Sequence, residues 1–282
     1  MSANKRFELR GARILLTGAS RGIGPYIARA LAAEGAHLAL VARTSEPLEV
    51  LARQLRSTGI NAVPVTADLA RKDERNRLVR RVDTDLGPVD VLVNNAGLEQ
   101  VGRFAEEPED RIAEIVEVNV VAPMHLTRLL LPGMLERRRG RVVNIASAAG
   151  KKAVPYSSIY GGTKAALVEW TSALRIELAG SGVSASAVCP GFVRGEGMFA
   201  RDGVAPPRSM GSVTPAQVAV AVVRVLRTDE PEIIVNARPI RPLLAVYQLS
   251  PGLATRVLGW FGVTQMQRKR AALGGSHIAR GG

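Results

Sequence analysis

Short apolar runs alternate with longer stretches of helical period along most of the chain. RILLTGAS (13–20) leads into PYIARALAAEGA (25–36) and then HLALVAR (37–43). A helical stretch at 46–58 precedes AVPVTADL (62–69), and another at 71–86 precedes VDVLVNNAG (89–97). After a long helical stretch of about 108–137 come GRVVNIASAAG (140–150), YGGTKAALVEWTSALRIELAG (160–180) and VSASAVCPG (183–191). The strands are continuous Val, Ile, Leu and Ala runs, the pattern of a sheet covered on both faces. Regular strand–helix alternation then predicts parallel strands with crossover helices: an α/β, doubly wound sheet of the Rossmann type. No repeat or low-complexity linker breaks residues 8–236, so they form one domain, with 237–282 as a C-terminal helical extension and not a domain of its own.

Past residue 191 the pattern weakens. RGEGMFARDGVAPPRSMGSV is rich in Gly, Pro and charge and suggests a mobile loop over the site. TPAQVAVAVVRVLRT (214–228) predicts a helix with Thr214 as N-cap and Pro215 at the first helical position, and EIIVN (232–236) one last strand. The tail is apolar with basic ends and is broken by Pro242, Pro251 and Gly252. Its apolar residues are expected to cover the core or a partner subunit. A peripheral membrane contact, with Trp260, Phe261 and the RKR run at 268–270 as anchors, is the alternative.

Composition narrows the class. With 46% hydrophobic and 22% charged residues in 282, the chain has ample apolar surface to offset its ordering entropy, which excludes disorder as the main state. No uninterrupted run of 18 or more apolar residues marks a membrane span, and the polar N-terminus does not read as a secretory signal. A single cysteine, Cys189, allows no internal disulfide, so the expected setting is reducing and cytoplasmic. The net charge is +13, carried mostly by Arg. Those arginines are scattered and aromatics are only 4%, which argues against nucleic acid. An anionic small substrate or an acyl carrier uses the same charge more naturally. The three histidines lack ligand spacing, so no metal is expected.

Thr17, Gly18, Ala19, Ser20, Arg21, Gly22, Ile23 and Gly24 end the first strand and open the first helix. Glycines there allow a tight turn and close approach to a pyrophosphate, to which the helix N-terminus offers unpaired N–H groups. A strand before, a helix after and a second strand beyond supply the context of a dinucleotide fingerprint. An NAD site needs an acid near the end of the second strand, yet the chain has Val41, Ala42, Arg43, Thr44 and Ser45 there. Arg43 can pair with a 2′-phosphate through its planar fork, and Arg21 adds a second cation, so NADP(H) is the expected cofactor.

Tyr160 and Lys164 are four apart at the start of a predicted helix and share one face. Ser147 follows the 141–146 strand, at the carboxyl edge where such sheets bind ligands. A phenol titrates about three units above neutrality, so roughly 4 kcal/mol of phenolate stabilisation would be needed to match it to pH 7. A nearby ammonium supplies part of this.

Together these residues resemble the short-chain dehydrogenase/reductase family. The resemblance rests on TGASRGIG (17–24), Asp68–Leu69, NNAG (94–97), Asn119, Ser147, Tyr160-x-x-x-Lys164 and Pro190–Gly191, in order and spacing, over about residues 8–228. It implies Tyr160 as general acid–base and Ser147 as the group that bonds the substrate oxygen. Lys164 would hold the nicotinamide ribose and lower the Tyr160 pKa, and Asn119 would anchor a water relaying protons to Lys164. Asp68 and Leu69 would contact adenine, Asn95, Ala96 and Gly97 the adenosine half, and Pro190, Gly191 and Val193 the nicotinamide. The implied chemistry is hydride transfer between a ketone and a secondary alcohol, in a homodimer or tetramer.

The sequence departs from the family pattern twice. Gly195 stands where Thr often bonds the nicotinamide amide, and the usual Asp-Gly-Gly ending is absent. A 3-oxoacyl-thioester reductase is a narrower reading of the same residues, and a non-catalytic NADP(H)-binding regulatory protein is one of another class. Lys151 and Lys152, just after Ser147, are expected to be solvated loop charges.

Overall fold

The computed structural model describes residues 7–196, 203–207, 210–250 and 262–273, with the single positions 252, 256 and 260. Seven strands form one sheet: β1 (Arg13–Thr17), β2 (His37–Ala42), β3 (Ala62–Thr66), β4 (Val91–Asn94), β5 (Gly140–Ile145), β6 (Val183–Pro190) and β7 (Glu232–Val235). Their order is β3-β2-β1-β4-β5-β6-β7, and every pairing is parallel. β1 pairs with β2 on one side and β4 on the other, so the winding reverses at β1, which opens a crevice at the carboxyl edge.

Side chains alternate between the two faces of each strand, and both faces are covered. Ile14 and Leu16 of β1 join one cluster with Leu38 and Leu40 of β2, packed beneath α1 (Gly24–Ala33), α2 (Ser45–Arg56) and α7 (Pro215–Thr228). Leu15 between them points the other way. It joins Leu92 and Val142 beneath α3 (Lys72–Asp85), α5 (Ala122–Glu136) and α6 (Ser158–Glu177). Two-sided burial is why the strands read as unbroken apolar runs. Each fully buried Leu or Ile contributes about 1.5–3 kcal/mol of transfer free energy.

α4 (Glu109–Val116) continues through a π-helical turn, Glu117–Val121, into α5. This combined helix is long and apolar enough to cross a membrane by length and composition alone. Ala122, Leu126 and Met134 are instead fully buried in the core beside the sheet. α7 starts with the cap read from sequence: Thr214 Oγ1 accepts from the Gln217 amide at 3.2 Å, and Gln217 Oε1 accepts from the Thr214 amide at 2.8 Å.

The extension differs from its sequence pattern at Pro242. Instead of breaking the chain, Pro242 lies in the first turn of α8 (Arg241–Leu249), where a missing N–H costs nothing. α9 (Val263–Ala272) then returns to the body of the protein. Val263 and Met266 pack with Ile240 and Leu244 against Ala148, Met210 and Phe192. Of the proposed membrane anchors, Trp260 is exposed and Phe261 lies outside the described residues. The RKR run is split: Arg268 Nε donates to the Tyr156 hydroxyl at 3.2 Å, while Arg270 is 1% exposed. Arg270 is therefore no surface anchor.

Candidate active site

A cavity of about 670 Å³ lies along the carboxyl edge of the sheet. Ser147, Tyr160 and Lys164 line it, as do Gly18, Ser20, Arg21, Gly22, Ile23, Arg43, Asp68, Leu69, Asn95, Ala96, Gly97, Pro190, Gly191 and Val193. Gly24 and Asn119 stand behind the wall.

At one end the glycine turn and the NNAG segment hold each other. Thr17 Oγ1 accepts from the amides of Asn95 (2.9 Å) and Ala96 (3.0 Å), and Asn95 Nδ2 donates to the carbonyls of Thr17 and Gly18. Gly18 has φ +65°, and a Cβ there would lie 2.8 Å from Ala96 Cα. At Gly24 a Cβ would fall 2.1 Å from the Gly18 carbonyl oxygen. The glycines thus let the strand end, the helix start and the β4 loop close on one another. The open first turn of α1 points its unpaired amides and partial positive charge to this junction. Asn95 Oδ1 is a buried acceptor without a partner among the described residues, which suits a ligand offering donors, such as a ribose.

Arg43 lies at the mouth of this end. Its Nη1 is 3.9 Å from Glu114 Oε1, with both side chains more than a third exposed, a pairing of small net worth. Glu114 also bonds Arg111, so Arg43 can turn to an anionic ligand at little cost. The Leu69 carbonyl, beside the cavity, is fixed by Arg75, which sequence reasoning passed over. It is 2% exposed and donates to the Leu69 carbonyl and to Glu117 Oε1, both at 2.6 Å. A buried arginine inside a charged helical stretch carries no local signal; only the fold reveals it.

The three side chains expected to react come from the turn after β5 and from α6. Ser147 caps a short turn, its Oγ accepting from the Ala149 amide at 3.0 Å. Tyr160 is half-buried on the cavity wall, with the Ser147 hydroxyl beside its phenol. Lys164, one turn along α6, donates to the Ile145 carbonyl at 2.8 Å, with its ammonium 5.8 Å from the Tyr160 ring centroid. Burial pulls the Lys164 pKa down to about 8. The phenol is held well above its ordinary value, first by burial and then by the charge of Glu99. The Ser147 hydrogen bond and the Arg270 cation oppose this shift but do not overcome it. The sequence-based expectation that Lys164 would lower the Tyr160 pKa is thus outweighed here: desolvation dominates, and the phenol is kept protonated.

Asn119 occupies the π-helical turn, is fully buried, and is spent on structure. Its Oδ1 accepts from the Leu98 amide at 2.7 Å, and its Nδ2 donates to the Leu98 carbonyl and Thr163 Oγ1. Any proton relay at this position falls to its backbone. Gly195 has φ +83°, a conformation a β-branched Thr adopts only with strain, so the loop here follows its own path. The rest of that loop falls partly outside the described residues, at 197–202 and 208–209.

At the other end the cavity is closed by α9, which no motif announced. Arg270 Nη1 and Nη2 lie 3.1 Å from Glu99 Oε1 and Oε2, a bidentate pair, and Nη1 also donates to Gln267 Oε1 at 3.2 Å. Glu99, Gln267 and Arg270 all line the cavity with Tyr160. Lys152 lines it too and is only 7% exposed, so the expectation of a solvated loop charge fails for this residue. Lys151 pairs with Glu232 at 3.0 Å.

A doubly wound sheet with a glycine turn at its crevice and a Ser–Tyr–Lys group one cavity-length away defines an oxidoreductase of the nucleotide-binding α/β type. The short chain dehydrogenase family model matches residues 12–202, and the chain belongs to that family. It is 45% identical over 268 residues to the ketoacyl reductase HetN of Nostoc sp., covering 93% of each chain. A putative ketoacyl reductase of Streptomyces coelicolor is 43% identical over 181 residues, 64% of this chain and 69% of that one. Among solved structures, a variant actinorhodin polyketide ketoreductase with NADPH superposes with TM-score 0.73 at 34% identity, covering 80% of this chain and 95% of that one. A metagenomic short-chain oxidoreductase with NADP gives 0.71 at 30% identity, covering 81% and 98%.

Proposed function

We propose that this protein is an NADP(H)-dependent reductase that converts a ketone to a secondary alcohol, with Tyr160 as the proton donor. The observation that carries this reading is that Ser147, Tyr160 and Lys164 line one cavity together with the glycine turn. A carbonyl oxygen placed between Ser147 Oγ and Tyr160 Oη accepts two hydrogen bonds, and these strengthen as negative charge develops on it. The phenol proton then passes to that oxygen, and Lys164 stabilises the phenolate left behind. When bound, the nicotinamide supplies the hydride taken by the carbonyl carbon. Ser20, Arg21 and the α1 amides would hold the pyrophosphate, and Asp68, Leu69 and Asn95 to Gly97 the adenosine; Lys164 would hold the nicotinamide ribose, beside Pro190, Gly191 and Val193.

The named activities of the HetN and Streptomyces relatives favour 3-oxoacyl compounds within this class. A Tyr–Ser–Lys group gathered on one cavity wall counts against a purely cofactor-binding regulator, which has no use for a positioned proton donor. Exposed Val116, Val121 and Ile176 on α4, the π turn and α6 support a homodimer through these helices.

The NADP(H) assignment rests on Arg43 and Arg21 and is tested at Arg43, whose side chain is exposed at the mouth of the cavity. Arg43→Ala should lower kcat/KM for NADPH by about 10- to 100-fold, the worth of a charge-assisted hydrogen bond to phosphate. The value for NADH should stay within about twofold. Initial rates at 340 nm with each cofactor decide it, and equal losses with both would remove Arg43 from phosphate recognition.

A further inference from the structure

The two lysines after Ser147 have opposite fates. Lys151 has its carboxylate, Glu232. Lys152 is 7% exposed, faces the catalytic cavity, and among the described residues has neither a hydrogen bond nor an ion pair. Burial alone pulls its pKa down to about 8, with no charged neighbour contributing. Its stem is buried while its ammonium, which is not a fully buried atom, opens onto the cavity, so holding the charge there without a counter-ion carries a cost.

The charges around it define what would relieve that cost. Among the described cavity-lining groups on the substrate side, the one carboxylate, Glu99, is held bidentately by Arg270. Lys152 and Lys164 are then two cations in one enclosure, each without an ion pair among the described residues. The neighbouring wall is apolar: Val154, Phe192, Met210, Ile240 and Val263. Such a chamber suits a short aliphatic chain with a negative charge at one end.

We propose that Lys152 is the anion-recognising residue of the cavity, and that the ketone reduced here carries a carboxylate, so that the preferred substrates are oxo acids. The inference rests on the ketone-reductase reading of Ser147 and Tyr160. An ammonium–carboxylate bond at this wall of the cavity fixes the chain at one end and presents the ketone to Ser147 and Tyr160 at the other. It also supplies the charge that keeps Lys152 protonated. A 3-oxoacyl thioester has no charge next to its acyl group and leaves Lys152 as it was.

The test uses the full-length protein with NADPH, followed at 340 nm, and matched pairs of 3-oxobutanoate, 4-oxopentanoate and 5-oxohexanoate with their methyl esters. The expected result is a kcat/KM at least about tenfold higher for one or more acids than for the matching ester, arising in KM. In Lys152→Met the acid-to-ester ratio collapses to about one, while Lys152→Arg keeps most of it. In the wild type the ratio falls as pH rises through about 8, where Lys152 loses its proton. Circular dichroism and NADPH titration of both variants establish that each is folded, and the Arg variant serves where the Met variant is not. An ester or 3-oxoacyl-thioester preference in the wild type, or a ratio indifferent to Lys152, overturns the proposal and leaves ketone reduction standing. Failure of every ketone, charged or neutral, overturns the underlying reading instead.

Discussion

Tyr160→Phe should reduce turnover of any ketone with NADPH by about 10²–10⁴-fold, the range for loss of a positioned proton donor. NADPH affinity, measured by fluorescence titration, should change by less than about twofold. The separation follows from geometry. The Phe ring takes the place of the Tyr160 ring near Lys164, so only the hydroxyl beside Ser147 is lost. Loss in kcat with KM little changed is the mark of an interaction made mainly in the transition state. Turnover surviving in the variant would assign the proton to another group. A second signature is pH. With a neutral ketone, the wild-type rate should fall as pH rises through about 8, because Lys164 is cationic below that value and neutral above it. A neutral lysine no longer stabilises the phenolate that forms when Tyr160 gives up its proton.

The elements legible in the sequence were those with local causes. Continuous apolar runs marked β1 to β6, and a capping residue with Pro marked the start of α7 to within a residue. The Ser147–Tyr160–Lys164 group was legible because one helical turn and one strand end fix its geometry. What escaped was set by distant parts of the chain. Glu99 and Arg270 are 171 residues apart, and nothing near either marks the partner. The 268–270 basic run looks like a solvated or membrane-facing patch, yet the docking of α9 through Val263 and Met266 turns Arg270 inward. Lys152 carries no local sign of its burial either: its neighbour Lys151 is half-buried against Glu232, while Lys152 turns to the cavity. Charge on a sequence gives the cost of burial but not whether the fold incurs it.

The extension's role gives the second large effect. Arg270→Met should destabilise the docking of α9 by about 3 kcal/mol, the low end for a broken buried pair because Glu99 keeps 18% exposure. That is a shift of more than about 100-fold in the docking equilibrium. Backbone amide exchange across Val263–Ala272 should accelerate to match, while exchange in β1, β4 and β5 should not. Activity should fall as well, since α9 walls the cavity and Arg270 offsets the push of Glu99 on the Tyr160 phenol. Removing both charges, with Glu99→Leu added, should restore most of the protection, because an apolar pair fits among Val263, Met266 and Ile240 without the cost of a carboxylate deprived of its two guanidinium bonds. If the single and double variants exchanged alike, the pair would have no part in holding α9, and apolar contact alone would dock it. If the double variant regained protection without activity, the charge of Arg270 beside Tyr160 would itself be required for proton transfer, and the extension would be part of the active site as well as its wall.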